Sequence, residues 1–322
     1  MLSVVVPAYN EQGLVVVAAQ TLREVLSGAG IDYEVIFVDD GSRDGTWNEI
    51  AEASERDDKV RGLRFSRNFG KESAIFAGLS AARGDCCAVI DCDLQHPPEK
   101  LVEMYALWQE GYEVVNGVKE DRGKESVAHG FAAKCFYKLM SRAARIDMSR
   151  SSDFKLMDRR VVDALLWLPE RQTFFRALVG WVGFRSIDVP FCVEERAAGK
   201  SHFSTVALFR YALSNITAFS SAPLQIVTVI GCIFLVLAVV LSVQTLVHWA
   251  RGMAADGFTT VIILLLFIGS VIMISLGIIG YYIAQIYIES KERPRYLVAQ
   301  TCEAKGRSAS GRENDTNAGR GC

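Results

Sequence analysis

The sequence has no surplus of positive charge: 35 basic residues stand against 37 acidic ones, which gives a formal net charge of -2 over 322 residues. A general nucleic-acid-binding protein is therefore disfavoured, because clustered basic side chains are what hold a polyanion. The eight cysteines are irregularly spaced and form no paired C-x-x-C pattern, which argues against a disulfide framework or a zinc site. We predict that they are buried or free thiols in a reducing compartment.

Two nucleotide-binding signatures are also missing. No G-x-G-x-x-G follows the first predicted strand and no G-x-x-x-x-G-K-[ST] occurs, so a nicotinamide oxidoreductase and a P-loop NTPase are disfavoured. The chain starts with MLSVVVP, without a basic segment or cleavage site, and no signal peptide is expected. Half of the residues are hydrophobic, which excludes a mostly disordered chain and leaves about two domains, or one with appendages.

Charge is absent from two long stretches late in the chain, residues 224–247 and 258–288. At about 1.5 Å per residue, each helix could cross a hydrocarbon core of about 30 Å, and buried core helices rarely run so long without charge. We predict two transmembrane helices within residues 223–289. Basic residues flank the pair, whereas residues 248–257 carry few, so both termini and the domain that precedes the helices are expected on the cytoplasmic side of the cell inner (plasma) membrane.

Residues 1–202 are expected to form the preceding domain, and within it residues 3–90 alternate apolar β-branched runs with amphipathic helical patterns, whereas the order after Gln95 is looser. This alternation predicts a doubly wound α/β domain with a mostly parallel sheet covered on both faces. Helices are expected at about 14–27, 46–56 and 72–82. Residues 203–222 are predicted to form an amphipathic segment on the membrane surface, and residues 303–322 to be a disordered cytoplasmic tail.

Acidic residues concentrate just after the predicted strands, where ligands bind in sheets of this type. Asp91 and Asp93 follow one strand at positions i and i+2, with Gln95 two further on, and such oxygen donors suit Mg²⁺ or Mn²⁺. An isolated pair of this kind also suits a turn or a helix cap. Asp39 and Asp40 also have two possible interpretations. A carboxylate there could form a turn, or it could accept hydrogen bonds from a base or a ribose.

Five motifs in order resemble those of family 2 glycosyltransferases of the polyprenyl-phosphate type. They are PAYNE at 7–11, VDDGSRDGT at 38–46, RNFGKESA at 67–74, DCDLQHPPE at 91–99 and ERAAGKSHFS at 195–204. The resemblance covers about residues 1–290, and it is strongest to bactoprenol glucosyltransferases and weaker to dolichol-phosphate mannose synthase. It implies a GT-A-like domain, so that the fold expected is a GT-A-like sheet domain followed by a two-helix transmembrane hairpin.

The same resemblance implies roles for individual residues. Nucleotide-sugar contacts are expected from Pro7, Tyr9, Glu11, Phe37, Asp39, Asp91 and Lys119. Asp93 and Gln95 are the expected metal ligands, and Asp93, Asp153 and Arg196 the expected catalytic residues. Acceptor-phosphate contacts are expected from Arg196, Lys200, Ser201 and His202, with Lys119 and Arg122 as further candidate cations; His202 stands where the family has lysine.

Two of these assignments leave alternatives open. His202 could still donate a hydrogen bond to phosphate, or Lys200 could supply the charge instead. Asp153 could act as a general base, or it could have a structural role in a turn or in a salt bridge with Lys155 or Arg159. A lipid monophosphate is already largely ionised at neutral pH, so a strong general base is dispensable.

The implied reaction is the inverting, metal-dependent transfer of one hexose to undecaprenyl phosphate, with glucose from UDP-glucose as the expected sugar. GDP-mannose, a UDP-N-acetylhexosamine and an aminoarabinose nucleotide are alternative donors, and a non-catalytic membrane adaptor is the alternative from another class. The Q-x-x-R-W motif of processive polysaccharide synthases is absent, since Gln172 is followed by TFFR. The expected partners are the donor, the lipid acceptor and the membrane, without nucleic acid; a homo-oligomer and a small membrane flippase partner are left open.

Overall fold

The computed structural model describes residues 1–119, 151–170, 174–192, 222–251 and 258–303. The chain divides into two compact units. One is an α/β unit, to which the residues from Pro294 onwards also belong, and the other is a helical unit that contains Phe203–Arg293.

The described elements alternate strand and helix along the α/β unit before the two long helices begin. In chain order they are β1 (Leu2–Ala8), α1 (Val15–Gly28), β2 (Tyr33–Asp39), α2 (Thr46–Arg56), β3 (Val60–Phe65), α3 (Lys71–Ala81), β4 (Cys86–Val89), α4 (Lys100–Gln109), β5 (Val114–Lys119), β6 (Ser151–Asp158), α5 (Arg159–Trp167), α6 (Phe175–Trp181), β7 (Ser186–Phe191), α7 (Ala222–Ala250), α8 (Phe258–Ser290) and β8 (Val298–Cys302).

The strands form one eight-stranded sheet in the order β7-β5-β6-β4-β1-β2-β3-β8. Every residue of β1 and β2 is buried, as expected for central strands whose two faces are both covered. Neighbouring pairs are parallel except where β6 or β8 takes part, so six strands run in one direction. The predicted mostly parallel α/β sheet is confirmed, and α1, α2 and α3 begin and end within one residue of the predicted bounds.

Two strands of the sheet, β6 and β8, were not expected from the sequence. β6 lies between β4 and β5 and is antiparallel to both. β8 follows α8 in the chain and pairs antiparallel with β3. The sheet therefore takes its last strand from beyond the apolar helices, and the α/β unit does not end at residue 202.

The segment after β8 starts with an ordered residue. Glu303 accepts hydrogen bonds from Arg61 Nε at 3.0 Å and from Arg83 Nη2 at 3.2 Å, so the first residue of the predicted disordered tail is held against the sheet. Residues 304–322 lie outside the described residues, as does the predicted amphipathic segment at 203–222 apart from its last residue.

The helical unit contains α7 and α8, of 29 and 33 residues. The two helices are in contact, with the ring of Phe234 5.2 Å from that of Phe267. Within the described part of the chain, one segment, Phe267–Ser290, is long and apolar enough to cross a membrane, and α7 contributes a shorter apolar segment, Val227–Leu241. The structure thus supports one of the two predicted spans, and the second stays a prediction.

Candidate active site

The loops after β1 and β2 are joined by hydrogen bonds. Ala8 pairs with Asp39 in the parallel register, so both strands end at the same level, which we call the carboxyl edge of the sheet. The backbone N–H of Asn10 donates to Ser42 Oγ at 2.9 Å, and that of Glu11 donates to Thr46 Oγ1 at 2.9 Å. Together the two loops form one rigid border, on which Tyr9 is 43% exposed.

Asp40 fixes the next loop along this edge. Its two carboxylate oxygens accept hydrogen bonds from the backbone N–H groups of Phe69, at 2.6 Å, and Gly70, at 2.9 Å. Burial raises the pKa of Asp40, although these two hydrogen bonds oppose the shift. Gly70 has a φ of 98°, which favours glycine, and it directly precedes α3. Asp40 therefore determines where the first residue of α3, Lys71, is placed.

Asp39 is fully buried beside Asp40. Its Oδ1 accepts a hydrogen bond from the backbone N–H of Ser42 at 2.8 Å, and Arg64 Nε lies 3.3 Å from its Oδ2. Among the described residues, that Oδ2 atom has no hydrogen-bond partner. A buried acceptor in this state is suited to a donor group on a ligand, provided that Arg64 shifts to let the ligand in.

The loop after β4 carries the acids of the D-x-D motif. The backbone N–H of Gln95 donates to Asp93 Oδ1 at 3.1 Å, and Leu94 between them has a φ of 52°, unusual for a residue with a branched side chain. Asp91, Asp93 and Gln95 are all partly exposed. No group of three or more acidic, histidine or cysteine side chains that could hold a metal occurs within the described ranges. One carboxylate and one amide oxygen still fit Mg²⁺ or Mn²⁺ when substrate phosphates complete the shell.

The register of the sheet brings Asp91 and Asp153 together. Val89 in β4 pairs with Lys155 in the antiparallel β6. If this register is continued by two residues, Asp91, after Val89, lies opposite Asp153, before Lys155, at the carboxyl edge. Lys71 Nζ lies between the two acids, 2.6 Å from Asp91 Oδ1 and 2.8 Å from Asp153 Oδ2. These three side chains come from three separate elements, and we call them the Lys71 bridge.

Arg176 is the second cation at Asp153. Its Nε donates to Asp153 Oδ1 at 2.6 Å and its Nη2 donates to Asp153 Oδ2 at 2.9 Å, a bidentate pair. Asp153 is buried, which raises its pKa, but Arg176 and Lys71 together hold that pKa well below its usual range. A carboxylate with both oxygens bonded to cations is a poor proton acceptor.

Two further ionisable groups adjoin the bridge. Burial, and after it the charge of Asp153, raises the pKa of Glu72 to about 7, while Glu72 Oε2 accepts the backbone N–H of Phe175 at 2.8 Å. His96 is buried and stacked on Phe154, with ring centroids 5.2 Å apart. Burial lowers the pKa of His96, and its Nδ1 lies 3.8 Å from Asp91 Oδ2.

The site residues predicted from the sequence fall into three groups: exposed at the carboxyl edge or at a strand end, buried, and outside the described part of the chain. Tyr9, Glu11, Asp91, Asp93 and Gln95 are at least partly exposed at the carboxyl edge, and Lys119 is exposed at the end of β5. Pro7 is buried in β1, and Phe37 is fully buried in the hydrophobic core, so the structure gives no support to a contact between Phe37 and the base. The predicted residues outside the described part of the chain are Arg122, Arg196, Lys200, Ser201 and His202.

The sequence did not predict the roles of four residues at the site. Asp40 fixes the loop before α3 by hydrogen bonds, and Lys71, Glu72 and Arg176 lie at or beside Asp153. Lys71 and Glu72 belong to the RNFGKESA motif, which was a signal for the family but not for a role. The ion-pair partners of Asp153 are Lys71 and Arg176, whereas Lys155 donates to Asn116 at 2.6 Å. Arg159 donates to the backbone carbonyl of Gly84.

The fold is a GT-A-like α/β fold with a mostly parallel sheet. The chain belongs to glycosyl transferase family 2, whose model matches residues 3–166, and it is a glycosyltransferase.

Several relatives are similar over nearly the whole chain. A protein of Synechocystis sp. named as an uncharacterized glycosyltransferase is 39% identical over 300 residues, covering 92% of this chain and 94% of its own length. The bactoprenol glucosyl transferase of Shigella phage SfV is 37% identical over 302 residues, covering 92% of this chain and 97% of its own.

Among solved structures, the chain is similar to glucosyl-3-phosphoglycerate synthase from Mycobacterium tuberculosis, in complex with Mn²⁺, UDP and phosphoglyceric acid. The identity is 20% and the TM-score 0.48, over 67% of this chain and 76% of that one.

Proposed function

We propose that this glycosyltransferase transfers one hexose from a nucleotide sugar to undecaprenyl phosphate at the cytoplasmic face of the membrane, with glucose from UDP-glucose as the sugar. The observation that carries the proposal is the length of the similarity to the Shigella phage SfV protein, 302 residues. An alignment of that length must include apolar helical sequence as well as the α/β unit. The acceptor class named for that relative is therefore proposed for this chain.

The proposed membrane arrangement has two spans, α7 and α8, and both termini in the cytoplasm. Many described apolar side chains of these helices are exposed, among them Leu235 at 66%, Leu265 at 64% and Met273 at 69%. Exposed apolar surface on this scale needs a lipid environment. A lipid phosphate stays at the headgroup level, so an enzyme acting on it benefits from a tether of this kind.

In the proposed chemistry, Asp93 and Gln95 would hold Mg²⁺ or Mn²⁺ together with the donor diphosphate. When bound, such a cation would supply positive charge to offset the negative charge of the diphosphate leaving group. Tyr9, Glu11, Asp39 and Asp91 contact the nucleotide, and Lys119 and the predicted cations at 196–202 hold the phosphates. The acceptor phosphate is itself the nucleophile, and direct attack inverts the anomeric carbon.

Asp153 has a positioning role in this proposal. Its two oxygens are bonded to Arg176 and Lys71, and its low pKa leaves it little ability to take a proton. Since an ionised phosphate needs no strong base, the reaction does not require Asp153 to act as one. A homo-oligomer and a flippase partner have no support in the described residues and are not part of the proposal.

The test is transfer by the purified full chain, with labelled UDP-glucose, polyprenyl phosphate and Mn²⁺. We expect Asp93→Ala and removal of the metal with EDTA each to lower the rate by at least about 100-fold, because the diphosphate charge is then not neutralised. Asp58→Ala, on an exposed turn at the amino ends of the strands, is the matched control and should keep the wild-type rate. Parallel reactions with GDP-mannose, a UDP-N-acetylhexosamine and an aminoarabinose nucleotide identify the donor.

A wild-type rate no higher than that of Asp93→Ala with every donor would contradict the proposal. It would favour the adaptor alternative, in which the fold binds a nucleotide sugar without transferring the sugar.

A further inference from the structure

We propose that Lys71 is a positioning residue of the transfer reaction, which holds the nucleotide-facing Asp91 and the buried Asp153 together as one fixed pair of carboxylates. The inference rests on the proposed function. It goes beyond the predicted site because Lys71 was assigned no role there, and its evidence is geometric: one nitrogen lies within 2.8 Å of both acids.

The sheet creates the need for a cation at this position. The antiparallel register between β4 and β6 places Asp91 and Asp153 opposite each other, whatever the charge of their side chains. The two carboxylates lie within 2.8 Å of the same nitrogen atom, so when both are ionised they repel each other, and the burial of Asp153 weakens the screening of that repulsion by water. A positive group between them removes that repulsion, and Lys71 Nζ occupies this place.

The placement of Lys71 is not explained by its own helix. Lys71 is the first residue of α3, and a positive side chain at a helix N-terminus interacts unfavourably with the helix dipole. The two carboxylates offset this cost. The loop before it is fixed separately, by the hydrogen bonds from Phe69 and Gly70 to Asp40. The fold thus holds a lysine at a position that local propensity disfavours.

Arg176 and Lys71 have different tasks at Asp153. Arg176 binds both carboxylate oxygens and so fixes the plane of the group. Lys71 connects Asp153 to Asp91, which is partly exposed beside the proposed metal loop. Without Lys71, the two acids would separate or rotate, and Asp91 would no longer be held where the nucleotide is expected to bind.

The first test compares Lys71→Met and Lys71→Arg in the transfer assay with the full chain. We expect Lys71→Met to lower kcat by about 100-fold, the scale seen when a reacting group is misplaced by about 1 Å. Lys71→Arg retains a cation and should recover most of that loss. Lys100→Met is the matched control, since Lys100 also begins a helix and pairs with an acid, Glu103, at 2.7 Å.

The second test is a double-mutant cycle. If Lys71 acts through Asp153, then Lys71→Met combined with Asp153→Asn should be about as slow as the slower single variant. Thermal unfolding of each variant checks that it is folded. Should Lys71→Met not fold, Lys71→Gln, which keeps a hydrogen-bond donor without the charge, takes its place in both tests.

Two results would overturn the inference: a folded Lys71→Met or Lys71→Gln variant with the wild-type kcat and donor KM, or a double variant whose rate loss is the product of the two single losses. Failure of the proposed function looks different, because the wild-type chain itself then transfers no sugar to the lipid with any donor. In that case the inference fails together with the function on which it rests.

Discussion

Glu72 is an acid of the described part of the chain whose charge changes with pH near neutrality. It follows Lys71 in α3, is partly buried, and its pKa is raised from 4.5 to about 7, first by burial and then by Asp153. Asp153 stays ionised over this range, because its own pKa is held well below the usual value. Glu72, next to the Lys71 bridge, therefore gains or loses a proton near pH 7.

This shift predicts how stability depends on pH. Between pH 4.5 and 7 the folded chain binds a proton at Glu72 that the unfolded chain has released, so the free energy of unfolding falls as the pH rises through that window. Glu72→Gln removes the effect. From pH 5 to pH 8 we expect the wild type to lose about 2 kcal/mol relative to Glu72→Gln, measured by denaturant unfolding in detergent.

The control for this prediction is Glu24→Gln, an exposed glutamate in α1 that accepts a hydrogen bond from Gln20. The difference in free energy of unfolding between the Glu24→Gln variant and the wild type should be the same at pH 5 and pH 8. If the difference in free energy of unfolding between Glu72→Gln and the wild type were also equal at pH 5 and pH 8, Glu72 would not titrate in this window.

At the scale of elements, the sequence predicted the parallel strands but not the antiparallel ones. β1, β2 and β4 are runs of apolar residues, and each is followed by an amphipathic helix or a turn, which is a strong local signal. β6 has the sequence SSDFKLMD, in which Asp153 and Lys155 interrupt the apolar pattern because they are buried with partners from other elements. Local patterns cannot show such partners, since Lys71 and Asp153 are 82 residues apart.

β8 was missed for a different reason. It has five residues, four of them exposed, and it follows a helix that ends at Ser290, so nothing in its own sequence indicates a strand. Its pairing with β3 covers what would be an open edge of the sheet. Tyr296, just before β8, stacks on Phe65 at the end of β3, with ring centroids 5.0 Å apart.

The role of β8 in stability can be tested by truncation. A chain ending at residue 296 loses β8 and the ion pairs of Glu303, and we expect its unfolding midpoint to fall by about 5 to 10 °C, equivalent to about 2 to 3 kcal/mol. Most of this loss should come from the strand ladder, since surface ion pairs contribute little. A chain ending at residue 303 is the control and should unfold like the full chain; equal midpoints for all three would contradict a stabilising role for β8.

For the molecule as a whole, the sequence predicted an α/β unit and apolar helices, but it did not predict that β8 forms an edge strand of the sheet. The α/β unit, the acidic carboxyl edge and the Phe267–Ser290 segment follow from apolar patterns and the positions of acids. The boundary predicted at residue 202 coincides with the division between the two units, but the α/β unit also includes β8, which pairs with β3 from beyond the apolar helices. In the active site, the acids at the strand ends could be predicted, whereas the cations that pair with them depend on the sheet register.

The central claim, that a nucleotide sugar is the donor and a lipid phosphate the acceptor, is tested most directly by where the label goes. The full chain in proteoliposomes is given UDP-[¹⁴C]glucose with or without undecaprenyl phosphate, and the products are separated into organic and aqueous phases. We predict that label enters the organic phase only when undecaprenyl phosphate is present, and that Asp93→Ala abolishes this transfer. Label that stays in the aqueous phase when undecaprenyl phosphate is present would contradict the account.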